Sequence, residues 1–225
     1  MMGSASSVGK TTLCEGLLAQ LLLDGYRAEQ LAYIKPMTQC TDKQAVTVFC
    51  ERAGIAHQSI GLVFEKGFSK DFINGLTQNS AQLLEAILAA ISKISAGKEI
   101  VIVDGIGNPS TGSVVGVSNV DIALALTAPV LFVGKAGIGA AIDDTILAVT
   151  FMQHQGIQNI ALVYNKIEPS ELVNVKHFLS KRLSELLPDV PILDFIAHHT
   201  QLDSKRKHQS AAKISQWFGA QSFSK

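Results

Sequence analysis

The sequence has no excess of either charge. Lys plus Arg and Asp plus Glu each number 19, so the formal net charge is zero. Nothing supplies the positive field that a nucleic-acid backbone rewards, which excludes a non-specific nucleic-acid partner. Charged residues are scarce altogether at 17%, against 47% hydrophobic residues; a disordered chain has the reverse balance. Cysteine is scarce too. Cys14, Cys40 and Cys50 are odd in number and show no paired spacing, which excludes a disulfide framework and a CxxC metal or redox motif. No basic-then-apolar leader opens the chain. The longest apolar runs, such as Ile122–Leu126 and Val130–Val133, fall far short of the ~20 residues of a membrane helix. These absences together predict a cytoplasmic protein with no membrane partner.

What is present is an alternation of strand-length and helix-length segments over 225 residues. Strands are expected at Glu29–Ile34, Glu99–Val103, Val130–Val133, Asn159–Tyr164 and Ile192–Phe195. They are run-like and rich in β-branched residues, as in a parallel sheet covered on both faces. Helices are expected at Thr11–Asp24, Ser80–Ser95, Ile142–His154, Ser170–Leu187 and from about Ser210 to Phe218. Leu13, Leu17 and Leu21 recur at helical spacing, and Gly25 stands where a C-terminal glycine stop belongs. His57–Asn79, with three Phe and three Gly, is the least regular stretch and reads as a long loop or short helices over an edge. There is no internal repeat, low-complexity tract or linker. The fold expected over residues 1–225 is one α/β domain with a doubly wound, mostly parallel sheet.

The chemistry begins at Gly3-Ser4-Ala5-Ser6-Ser7-Val8-Gly9-Lys10-Thr11-Thr12. A phosphate loop needs small residues so that backbone N–H groups can turn toward an anion. It also needs a helix N-terminus behind it, a lysine for the β- and γ-phosphates and a hydroxyl for Mg²⁺. Gly9, Lys10 and Thr11 supply the last glycine, the lysine and the hydroxyl. The general pattern puts a glycine at the position of Ser4; here it is one residue earlier, at Gly3. Such a loop should follow a buried strand, yet only Met1 and Met2 precede Gly3. The first strand is therefore expected to be missing from the sequence, short by roughly five to eight residues, and the start codon to lie upstream.

Ligands of open α/β sheets bind at the carboxyl ends of the strands. Asp104 follows the strand at Glu99–Val103 and suits the Mg²⁺-side carboxylate. Lys35 follows Ile34 and could neutralise transferring phosphoryl oxygens. Asn165 follows Tyr164 and could read a nucleobase edge. Each also has a plain reading, as a turn cap, an exposed strand-end lysine and a turn former. Adjacent His198 and His199 would point to opposite faces of a strand, so no metal site is expected there. Asp104-Gly105-Ile106-Gly107 and Asn165-Lys166-Ile167-Glu168 approach the D-x-x-G and N-K-x-D elements of GTPases, but Glu168 replaces the guanine-reading Asp.

The motifs GSASSVGKTT, YIKPMTQCTD, DGIGNPSTG, PVLFVGKAGIGAAIDDTILA and VYNKI, in this order, resemble the dethiobiotin synthetase family of P-loop proteins. The dethiobiotin-synthetase-like N-terminal domains of phosphate acetyltransferases share the resemblance, which spans Gly3 to about Ala197. The G-x5-GKT spacing is that family's own. The resemblance implies ATP and Mg²⁺ as cofactors. Gly3, Ser6, Ser7, Val8, Gly9, Lys10, Thr11 and Thr12 would hold the phosphates, with Asn165 at the adenine. Thr11, Asp42 and Asp104 would serve the metal, and Lys10 and Lys35 the phosphoryl transfer. It further implies a small-molecule substrate, a homodimer and a ligase reaction in which a carbamate made from a diamino acid and CO₂ attacks the γ-phosphate. Met37-Thr38-Gln39-Cys40 and DGIGN depart from the family's substrate side, where a Ser/Thr-Gly pair and EGAGG are usual, so the second substrate is expected to differ. The alternatives are a nucleotide-dependent regulatory switch, ATPase-like or GTPase-like, without ligase activity, and a module that no longer binds nucleotide.

Overall fold

In the computed structural model, residues 1–38, 42–58, 61–63, 67–198 and 211–217 are described. In chain order the elements are β1 (Met2–Gly3), α1 (Lys10–Leu23), β2 (Leu31–Ile34), β3 (Met37–Thr38), α2 (Ala45–Ala53), β4 (Ala56–Gln58), β5 (Leu62–Val63) and α3 (Phe68–Ile73). There follow α4 (Ser80–Ser95), β6 (Ile100–Val103), α5 (Asn119–Ala125), β7 (Val130–Gly134), α6 (Gly139–His154), β8 (Ile160–Ile167), α7 (Leu172–Leu186) and β9 (Ile192–Ala197). Residues 211–217 are helical; Ser210 and Phe218, the expected ends of that helix, lie outside the described residues.

Every strand pairing among the described residues is parallel. Strands run β1-β7-β8-β9 in one sheet, β4-β2-β6 in a second and β3-β5 in a third, two-stranded one. The first two sheets meet at Met1. Its terminal nitrogen donates to Val103 O at 2.7 Å, and its carbonyl accepts from Gly105 N at 2.9 Å. On the other side Met2 and Gly3 pair with Phe132 and Val133, and Ser4 N donates to Val133 O. The expectation of an absent first strand is thus corrected in part: a two-residue strand stands in that place.

The sheet is buried on both faces, which explains its unbroken apolar runs. Along β7 and β8, Phe132, Leu162 and Tyr164 pack into one core with Ala148, Met152 and Leu179. The alternate residues Leu131, Ala161 and Val163 join Leu18, Val46 and Cys50 on the other face. A third core sets Ile34 and Ile122 against Leu83, Ile87 and Ile91 of α4. Each Val, Leu, Ile, Phe or Met side chain among them, fully buried, contributes roughly 1.5–3 kcal/mol.

Local signals explain most boundaries. Asn79 Oδ1 caps α4 by accepting from Gln82 N, and Gln82 Oε1 accepts from Asn79 N in return, a capping box. β2 begins at Leu31 because residues 28–30 form a 3₁₀ turn, and α7 begins after another at 169–171. β8 runs three residues beyond Tyr164, with a register irregularity between Tyr164 and Ile167 and Lys166 at φ +59°. The irregular stretch after His57 holds the end of β4, β5 and the short α3.

Candidate functional site

The phosphate loop joins β1 to α1 and depends on two glycines. Gly3 lets the loop close on itself. A Cβ there would lie 2.7 Å from Val8 Cγ2 and 3.1 Å from Lys10 Nζ, which accounts for a glycine one residue ahead of the usual place. Gly9 adopts φ +95°, and a Cβ there would lie 2.2 Å from Asn165 Nδ2. Ser7 also takes a positive φ, +62°. The helix starts directly at Lys10, with no acidic residue in its first turn and no side-chain cap. Its first N–H groups and dipole are thus offered to an external anion.

Two side chains from β8 hold the loop from behind. Asn165 Nδ2 donates to Val8 O at 2.9 Å, and Lys166 Nζ donates to Ser7 O at 2.7 Å. Asn165 is buried, so in this state it braces the loop. Lys166 stood in the sequence only as part of a motif, and its left-handed backbone is what brings its amine onto the loop.

Asp104 forms the centre. It is completely buried at the end of β6. Its Oδ2 accepts from Thr11 Oγ1 at 2.7 Å and from Tyr33 Oη at 2.8 Å. Lys35 Nζ lies 3.8 Å from the same oxygen and 3.2 Å from Gln44 Oε1, to which it donates. Asp104 Oδ1 has no hydrogen-bond partner; Ser4 Oγ is the other such buried side-chain atom among the described residues. Lys10 Nζ folds back to donate to Ala5 O at 3.0 Å. Burial lowers the Lys10 pKa and Lys35 adds to this, while Asp104 opposes it. Burial, reinforced by Asp104, pushes the Tyr33 phenol far up, so it stays a neutral donor.

A cavity of about 460 Å³ opens over these groups. Ser6, Ser7, Gly9, Lys10, Thr11 and Thr12 line one side. Lys35, Thr38, Gly105–Gly107 and Lys166 line the other. The 105–108 turn is held by one buried side chain, Asn119. Its Nδ2 donates to Ile106 O at 2.6 Å and Asn108 O at 2.7 Å, and its Oδ1 accepts from Ile106 N at 3.2 Å.

The structure therefore gathers Lys10, Thr11, Lys35 and Asp104 at one point, with the Ser6–Thr12 loop around them. Asp42 stands apart: it is exposed on the turn before α2 and is absent from the cavity lining. Cys40 lies outside the described residues, as does His199. His198 does meet a carboxylate, Glu168 Oε1 at 3.5 Å. Sequence reasoning missed Tyr33, Lys166 and Asn119. Tyr33 left a signal, because it stands two residues before Lys35, which directly follows the strand, at the spacing that shares a face.

The residues suit Mg²⁺ accompanying a nucleotide. Asp104 presents a bare buried oxygen and Thr11 a hydroxyl beside it. No group of three or more His, Cys, Asp or Glu that could cage a metal occurs among the described residues. Mg²⁺ bound with phosphates takes only one or two protein side chains.

A loop of small residues wrapped round one cavity and leading straight into a helix start is the P-loop arrangement, so the molecule is a P-loop nucleotide-binding protein of the α/β class. The chain belongs to the AAA domain family, whose model matches residues 1–214. It is 24% identical over 198 residues to the ATP-dependent dethiobiotin synthetase BioD of Akkermansia muciniphila, covering 87% of this chain and 90% of that protein. It is thus dethiobiotin-synthetase-like, as its motifs suggested. No helix among the described residues is long and apolar enough to cross a membrane.

Proposed function

We propose that this protein is a Mg²⁺- and ATP-dependent ligase that transfers the γ-phosphoryl group to a small carbamate or carboxylate. The observation that carries this reading is that Lys10, Thr11 and Lys35 line one cavity at the strand ends, with the buried Asp104 carboxylate bonded directly behind Thr11. Phosphoryl transfer asks the protein mainly to position groups and neutralise charge. The loop amides and the α1 start would hold the phosphates. Lys10, released from Ala5 O, would reach their oxygens, and Lys35 would stabilise the charge that develops on the transferring group. Asp104 and Thr11 would hold Mg²⁺, whose chemistry is to neutralise the phosphate oxygens and act as a Lewis acid. Asp42 would approach the same metal once nucleotide is bound, and Asn165 would turn to the adenine.

The acceptor would lie against Thr38 and the 105–107 turn. Because this side departs from the family pattern, its substrate need not be the synthetase's own. The family resemblance also supports a cytoplasmic homodimer made of one domain per chain.

The test is ADP release with Mg²⁺-ATP and bicarbonate across a panel of diamino acids and small carboxylates, run beside Lys10→Ala. Release that rises with one acceptor and collapses in the variant supports the reading. Release indifferent to every acceptor, or ATP affinity unchanged by Lys10→Ala, sinks it. Preference for GTP over ATP in calorimetry would favour a switch instead; Glu168, turned toward His198, argues for ATP.

A further inference from the structure

Lys35 is held at a distance from the carboxylate it faces. Pro36 follows it and keeps its backbone extended, and its N–H donates to Gln58 O at 2.9 Å. Its side chain, 11% exposed, lines the cavity. The amine lies 3.8 Å from Asp104 Oδ2, where a closed ammonium–carboxylate pair measures roughly 2.7–2.9 Å. Asp104 is fully buried, and attraction between charges is strongest away from water. A flexible four-carbon stem could close that gap, so a restraint acts on it.

The restraint is Gln44. Lys35 Nζ donates to Gln44 Oε1 at 3.2 Å. An ammonium only donates, so this contact also fixes which end of the amide faces it. Gln44 stands at the N-cap of α2 in an extended conformation, yet its side chain makes no capping bond. Asn in that place would favour capping its own helix; the extra methylene of Gln carries the amide past the helix start to Lys35. The main chain of Gln44 is firmly held, because its carbonyl accepts from Thr47 N at 3.0 Å and Val48 N at 3.3 Å. α2 in turn packs Val46 and Cys50 into one core with Cys14, Leu17 and Leu18 of α1. The amide is thus referenced to the helix into which the phosphate loop leads.

The charge of the partner matters as much as its place. A carboxylate at position 44 would pair with the ammonium and cancel the field it projects. A neutral amide orients the ammonium and leaves that field to the cavity.

We propose that Gln44 is the positioning residue of Lys35: it holds the amine off Asp104 and toward the cavity, with its charge uncancelled. This rests on the phosphoryl-transfer reading, in which Lys35 serves the transferring group.

Gln44→Asn and Gln44→Glu test this beside the unaltered protein, at saturating Mg²⁺, with ATP and the same panel of diamino acids and small carboxylates. Gln44→Asn should lower kcat ~10-fold or more with the ATP KM within a few-fold, while the melting temperature holds or rises because Asn caps α2. Gln44→Glu should lower kcat by a similar factor although its length is kept. The ¹⁵N resonance of Lys35 Nζ, assigned by its disappearance in Lys35→Met, should shift in both variants with no acceptor present. An unshifted resonance or an undiminished kcat in Gln44→Asn would overturn the proposal, as would a fall in kcat that follows a matching loss of melting temperature. An undiminished kcat in Gln44→Glu would overturn the need for a neutral partner. A shifted resonance in a protein whose ADP release depends on no acceptor would keep the tether and reject its role in transfer, together with the ligase reading.

Discussion

The Tyr33 hydroxyl donates to Asp104 Oδ2 at 2.8 Å, the same oxygen that Thr11 occupies. With both donors on Oδ2, Oδ1 is left bare and the carboxylate cannot turn freely. Tyr33 is therefore a positioning residue. Tyr33→Phe should raise the Mg²⁺ concentration for half-maximal turnover ~10-fold or more, the usual effect of losing a partner behind a metal-binding group. The ATP KM at saturating Mg²⁺ should change little. The lost hydrogen bond should cost about 1 kcal/mol of stability, read by urea unfolding.

Lys35 stands 3.8 Å from Asp104 and is tethered to Gln44. In the proposed reaction it would serve the charge developing in the transition state more than resting ATP. Lys35→Met should lower kcat by ~10²-fold or more, while calorimetry finds ATP affinity within a few-fold of the unaltered protein. An equal loss in both would place Lys35 in ground-state binding.

Gly9→Ala puts a Cβ into Asn165 Nδ2 at a φ of +95°. A residue with a side chain costs about 1–2 kcal/mol in that backbone region. Pushing Asn165 away also frees Val8 O. ATP affinity should fall ~10-fold or more, and Lys166→Ala, which frees Ser7 O, should weaken it in the same direction by less.

The helix Ser80–Ser95 was legible to the residue because its apolar face and capping box sit in consecutive sequence. The phosphate loop, Lys35 and Asp104 were legible because loop, strand ends and chemistry coincide in short motifs. α5 was missed although Ser118 and Asp121 form a capping box; at seven residues its periodicity is too short to stand out. The clamp of Asn165 and Lys166 on the loop spans 157 and 159 positions, and no local pattern encodes a contact at that distance. The extra length of β8 was hidden by Lys166, whose left-handed turn interrupts the strand without ending it.

Asn119 shapes the 105–108 turn entirely through main-chain atoms of Ile106 and Asn108. The path of the backbone at Ile106 is consequently set without any bond to the Ile106 side chain. Exchanging Ile106, which lines the cavity, would redecorate the proposed acceptor space while Asn119 keeps the main chain of that wall in place. On the proposed reading this makes residue 106 the natural starting point for altering what the protein acts on.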